Sequence, residues 1–151
     1  MTIAYIQEEI INEFEQLGVN AELNVFYMVC LGKNLPRMPA THKRDARILR
    51  TTTLMTTVWI AAEFRNGKLF YHGDSDSLIV KGLLSLALRI YSGHTPEDVL
   101  NAKFILTDAP LFGSAFGKWC RRCLHTIVTT MRTYAHLTKV QTGSLIDQIS
   151  I

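Results

Sequence analysis

The sequence predicts an α+β domain in which helices pack on one face of a small antiparallel sheet of about three strands. Three observations predict it. Apolar residues recur at helical spacing toward both ends of the chain, a stretch rich in β-branched and aromatic residues with one hairpin signal lies between them, and Gly and Asn stand where helices should stop and start.

The first helix rests on Ile3, Ile6, Ile10, Phe14 and Leu17, which form one stripe with Glu8, Glu9, Glu13 and Glu15 between them. Gly18 follows at the position of a C-cap. Asn20 is suited to cap a second helix whose apolar face reads as Leu23, Phe26, Tyr27, Cys30 and Leu31, with Gly32 as its end. From 33 to 47 the pattern breaks. Pro36 and Pro39 oppose helix, and Lys33, Arg37, Lys43, Arg44 and Arg47 make the segment a long basic loop.

Threonines dominate residues 50–57, and 58–65 continues as a strand around Trp59 and Ile60. Asn66-Gly67 is the strongest hairpin signal in the chain, because a type I′ turn needs positive φ at both central residues. The returning strand is 68–72. Asp74, Ser75 and Asp76 then offer acceptors for the free amides of a central helix built on Ile79, Leu83, Leu86 and Ile90, which Gly93 closes. Capping is the reading favoured for the Asp74 and Asp76 carboxylates over acid–base chemistry. Thr95-Pro96-Glu97-Asp98 starts a short helix with a capping threonine, an N1 proline and acidic first-turn residues. After a loop over 108–116, Cys120, Leu124, Ile127, Met131 and Tyr134 mark the last helix.

Composition bounds the answer. The chain is 48% hydrophobic and 19% charged, which suits a packed core, and it reads as a single domain over 1–138 with a frayed tail over 139–151. A formal charge of +3 is small for a chain that lives on phosphate backbones, and the basic segment lacks interleaved aromatics, so no nucleic-acid partner is expected. Neither a signal peptide nor a membrane span is expected, since the most apolar run, 78–91, is interrupted by Lys81 and Arg89. Three cysteines, Cys30, Cys120 and Cys123, form no paired framework, which points to a reducing, cytoplasmic setting.

Val58-Trp59-Ile60, Gly73-Asp74-Ser75-Asp76, Ile79-Val80-Lys81-Gly82-Leu83 and Ser92-Gly93-His94-Thr95-Pro96 follow one another in order, and Leu31-Gly32-Lys33 with Leu35-Pro36 precedes them. This series resembles the SufE-type sulfur-acceptor proteins, from the first helix to about Ala135. The resemblance implies a SufE-like α+β fold and a pyridoxal-phosphate-dependent cysteine desulfurase as partner, whose persulfide passes to a thiol of the SufE-type protein and on toward an iron–sulfur scaffold complex. No cofactor of the chain's own is implied.

In that family the nucleophile lies in a Gly-Cys-x-Ser-x-Val-Trp segment. Counting back from Val58-Trp59 puts Leu54 at the cysteine, and a leucine can neither attack a persulfide nor carry its sulfur. A second family stretch, a Ser-Pro-Thr-Arg-Ser-Asn-Gly-like pattern, falls on residues 117–123, with Cys120 at the arginine. Asp76 lies in the segment that the resemblance places near the active loop.

Trp119-Cys120-Arg121-Arg122-Cys123 has the spacing of a dithiol, and the neighbouring cations and a helix start would favour thiolate. Cys120 also continues the apolar series through Leu124 and Ile127, which favours core packing. No metal site is expected there, since His125 supplies at most a third ligand, and His42, His72 and His94 carry no catalytic signal. Arg44, Arg47 and Arg50 are candidate partner-binding residues for an acidic face. Three readings stand at this point: a docking or regulatory module degenerate at the sulfur-accepting position, a sulfurtransferase using Cys120 or Cys123, and a chain in which only the fold is specified.

Overall fold

A computed structural model describes residues 1–18, 20–49 and 56–149. The elements are α1 (Ile3–Leu17), α2 (Ala21–Lys33), α3 (Ala40–Asp45), β1 (Arg47–Leu49), β2 (Val58–Arg65), β3 (Lys68–Ser75), α4 (Leu78–Tyr91), α5 (Pro96–Asn101), two 3-10 turns and α6 (Ala115–Ile149). The strands form one antiparallel sheet in the order β1-β2-β3. This is the α+β architecture the sequence predicts.

The sheet's inner face presents Val58, Ile60, Leu69 and Tyr71, all buried, to Leu83, Leu84, Leu86, Ala87 and Ile90 of α4 and to Leu124, Ile127 and Met131 of α6. Two tyrosines fasten α6 to the sheet. Tyr71 donates its hydroxyl hydrogen to the Met131 carbonyl at 2.8 Å, and Tyr134 donates to the Ile60 carbonyl at 2.8 Å. Inside α1, Gln7 is fully buried; its amide donates to the Lys103 carbonyl (2.9 Å) and accepts from the Ile105 and Leu106 amides (2.7 and 3.1 Å). One glutamine thus satisfies the backbone of a segment that has no partner in regular structure.

Local chemistry works as expected at several boundaries. Asn20 caps α2 by accepting from the Glu22 and Leu23 amides, Thr95 caps α5 by accepting from Asp98, and Asn66 and Gly67 take φ of 53° and 78° in the hairpin turn.

Other boundaries differ. The expected apolar face of α2 is rotated: Phe26 is 66% exposed and Leu23 46%, while Met28 and Asn24 are buried. The reason is a close helix crossing. A Cβ on Gly32 would collide with the Leu78 carbonyl and one on Gly82 with the Met28 carbonyl, so α2 and α4 touch backbone to backbone along their glycines. Gly32 is therefore a contact residue inside α2, which ends on Asn34.

The basic segment is not all loop. Pro39 sits at the N-cap of α3, where its missing N–H costs nothing and its carbonyl accepts from Lys43, and β1 follows directly. Among the described residues the first strand is Arg47–Leu49, and 50–55 of the threonine run lie outside the described residues. β3 extends to Ser75, and Ser77, not Asp74 or Asp76, caps α4 by accepting from the Val80 amide. α6 begins at Ala115 and runs to Ile149, through the segment beyond Lys139 where hydrophobic periodicity fades.

Candidate functional site

Leu49 pairs with Val58, and Val58 with Ser75, so the chain leaves β1 and re-enters β2 at one end of the sheet, beside the start of α4. Leu54 and Arg50, the family loop position and one of the three candidate docking arginines, lie outside the described residues. The structure describes the strand ends that flank this segment in sequence. The Thr57 carbonyl accepts from the Ser75 hydroxyl at 2.9 Å and from the Asp76 amide at 3.4 Å, which laces the beginning of β2 to the end of β3. The Asp76 side chain is exposed.

The outer face of the sheet carries charged groups. Asp74 lies opposite Trp59 in the ladder, and α3 covers both: Lys43 donates to Asp74 at 3.0 Å and stands 4.1 Å from the Trp59 ring centroid. Lys81 approaches the other Asp74 oxygen at 3.8 Å, and the Ser75 amide donates to that oxygen at 2.8 Å. Partial burial pushes the Asp74 carboxyl up, but the Lys43 hydrogen bond, the Ser75 amide and the two ammonium charges outweigh it and hold the group below the ordinary aspartate range. Asp74 is thus a fixed anion that orients α3, and the helix-capping role expected for it belongs to Ser77.

Arg44 is exposed on α3, and Arg47 is exposed on β1 with its guanidinium 5.6 Å from the Tyr134 ring centroid and its amide donating to the Tyr134 hydroxyl.

The cysteines are elsewhere in character. Cys120 and Cys123 are fully buried in the core, and Cys30 is half-buried on α2. Desolvation pushes the Cys120 thiol up to about 12, with the neighbouring Cys123 adding to it, and pushes Cys123 up to about 11 against the opposing charge of Arg122. The thiolate expected from the cations and the helix start is therefore disfavoured. Burial outweighs the lysine and arginines because their charged ends are in solvent, and both cysteines lie beyond the first turn of α6.

One arrangement had no sequence signal. His42 of α3 and His72 of β3 stack with ring centroids 4.3 Å apart and planes 14° apart, and both Nε2 atoms face Glu63 Oε2 of β2, at 3.9 and 3.6 Å. Positions 42, 63 and 72 show no ligand spacing. Only the strand register and the docking of α3 bring them together.

A solved solution structure, that of a hypothetical protein from Thermus thermophilus, is similar over 89% of this chain and 96% of its own, with a TM-score of 0.69 and 17% identity. At that identity the likeness speaks to the fold, which the two share. The model of the SufE Fe-S metabolism associated domain matches residues 8–135, from within α1 to within α6, and so takes in the sheet, the Asp74 ion pairs and the Gly32–Gly82 crossing. The chain therefore belongs to the SufE family of domains associated with iron–sulfur metabolism.

Proposed function

We propose that this protein is a docking or regulatory partner of a pyridoxal-phosphate-dependent cysteine desulfurase in sulfur mobilisation for iron–sulfur assembly, and that it does not itself accept the persulfide. Residues 1–138 act as one domain in this reading, and the setting is the cytoplasm, where cysteine thiols stay reduced. An iron–sulfur scaffold complex is the downstream partner class. The observation that carries the proposal is the state of the thiols. Counting back from Val58-Trp59 aligns Leu54 with the family's nucleophile, and of the three cysteines Cys120 and Cys123 are wholly buried with raised thiol pKa, while Cys30 is half-buried on α2.

A leucine at position 54 also suits a surface that binds without reacting, since it offers apolar contact worth roughly 1.5 to 3 kcal/mol when fully buried. The exposed Arg44 and Arg47, with Arg50 three residues further along the chain, supply positive charge that would steer an acidic partner face.

The test is association with a cysteine desulfurase, measured by surface plasmon resonance at low salt. Binding is expected, with an association rate that falls several-fold for Arg44→Ala/Arg47→Ala. No binding at micromolar concentration would remove the docking role, and an unchanged association rate would remove the arginines from it.

A further inference from the structure

We propose that His42, Glu63 and His72 form a binding site for a divalent first-row transition metal ion, with Zn2+ as the reference ion. The set supplies two imidazole nitrogens and one carboxylate oxygen, a donor combination suited to Zn2+ or Fe2+ and unsuited to Mg2+ or Ca2+. Its dimensions are close to those of a loaded site. Metal–ligand bonds of about 2.0–2.1 Å in tetrahedral geometry place donor atoms roughly 3.3 Å apart. The two nitrogens stand 3.9 and 3.6 Å from Glu63 Oε2 and all three donors lie within 4.8 Å of one another, so side-chain rotation can bring them to that spacing. That rotation also unstacks the rings, whose in-plane lone pairs must converge.

Two further features point to a ligand. His72 Nε2 is shut off from solvent yet has no hydrogen-bond partner, a cost that a metal bond removes. The second Glu63 oxygen, Oε1, is held by Arg65 at 3.2 Å, which leaves Oε2 for monodentate ligation and fixes the carboxylate as supporting partners of metal ligands do. Arg65 and Lys43 are the opposing charges nearby. Lys43 is neutralised by Asp74 and Arg65 by Glu63 itself. With three protein donors, the remaining positions fall to water.

The three ligands come from α3, β2 and β3, so the ion would clamp α3 onto the outer face of the sheet. α3 carries Arg44. The metal would thus fix the orientation of part of the surface assigned above to docking, although metal binding itself does not depend on that assignment.

The direct test is titration of the chelator-treated full chain with Zn2+ at neutral pH, followed by calorimetry and by imidazole 15N chemical shifts. One ion per chain is expected, with the Nε2 signals of His42 and His72 moving and those of His94, His125 and His136 staying in place. His72→Gln should weaken binding at least about tenfold, since losing a ligand should cost no less than losing a ligand's supporting partner. His94→Gln should leave it unchanged. Substituting Co2+ should give visible bands without sulfur-to-cobalt charge transfer. No saturable event at micromolar Zn2+, shifts confined to other histidines, or a sulfur charge-transfer band would each overturn the site. The wild-type shifts decide the matter even if a variant folds poorly.

Discussion

Lys43 and Asp74 meet at 3.0 Å across the outer face of the sheet, with the Trp59 ring beneath the ammonium. An ion pair and a cation–π contact thus help hold a six-residue helix to the strands. Removing the cation as Lys43→Ala leaves burial as the leading influence on Asp74, so its carboxyl pKa should rise, and stability should drop by about 1 kcal/mol near neutral pH. Because the folded-state pKa of Asp74 is depressed, the ion-pair part of this contribution is present above the unfolded value of about 3.9 and is lost as pH falls through the folded value. Carboxyl 13C titration of wild type and variant checks it; an unmoved Asp74 would show that Lys43 does not set its charge.

Gly82 lies at the α2–α4 crossing, facing the Met28 carbonyl. Gly82→Ala drives a methyl group into the Met28 carbonyl and should cost about 1–3 kcal/mol or more. Gly113→Ala, with nothing within 4 Å of the added carbon, should cost far less. Urea midpoints of the two variants make the comparison, and equal midpoints would mean that the crossing is not tight.

Glu13 joins three helices. Arg89 of α4 donates to both its oxygens at 2.9 and 2.7 Å, and the Tyr27 hydroxyl of α2 donates at 3.0 Å. Arg89 is the largest influence on the Glu13 carboxyl and holds it below the ordinary glutamate range despite partial burial. Its stabilising effect is therefore present above the unfolded value of about 4.3 and disappears as pH drops through the lower folded value. Glu13→Gln should lose less than about 1 kcal/mol at pH 7, since the pair is more than a third exposed, and the loss should shrink in acid. Denaturation at pH 7 and pH 3 measures both.

The buried thiols make a kinetic prediction. In native protein at pH 8, Cys120 and Cys123 should resist a thiol-specific reagent, while the half-buried Cys30 reacts first; in denaturant all three should react at comparable rates. Mass mapping of the labelled cysteines assigns them. Fast native labelling of Cys120 would return the sulfurtransferase reading to contention.

Features that a few adjacent residues dictate were legible in the sequence. Asn66-Gly67 makes its turn and Thr95-Pro96 its helix start through contacts within four residues, and the stripes of α1 and α4 face the core as their spacing demands. Features decided by a distant surface were not. The face of α2 is set by the glycine of α4 rather than by its own hydrophobicity, which left Phe26 outside. Asp74 reads as a cap in the sequence because its partner, Lys43, is distant along the chain and sits on a helix that Pro39 argues against. The histidine pair was invisible for the same reason, since one ring comes from α3 and the other from β3. The burial of Cys120 and Cys123 likewise comes from the packing of α6 and not from their dithiol spacing in the sequence.

We propose that this SufE-family chain accepts no sulfur from a desulfurase persulfide. Incubating the protein with a cysteine desulfurase and cysteine, then measuring intact mass under non-reducing conditions, tests that directly. Wild type should gain no sulfur, while Leu54→Cys should gain one atom at the position the family uses. A one-sulfur gain on wild type, whether lost in Cys30→Ser, Cys120→Ser or Cys123→Ser, would contradict the claim.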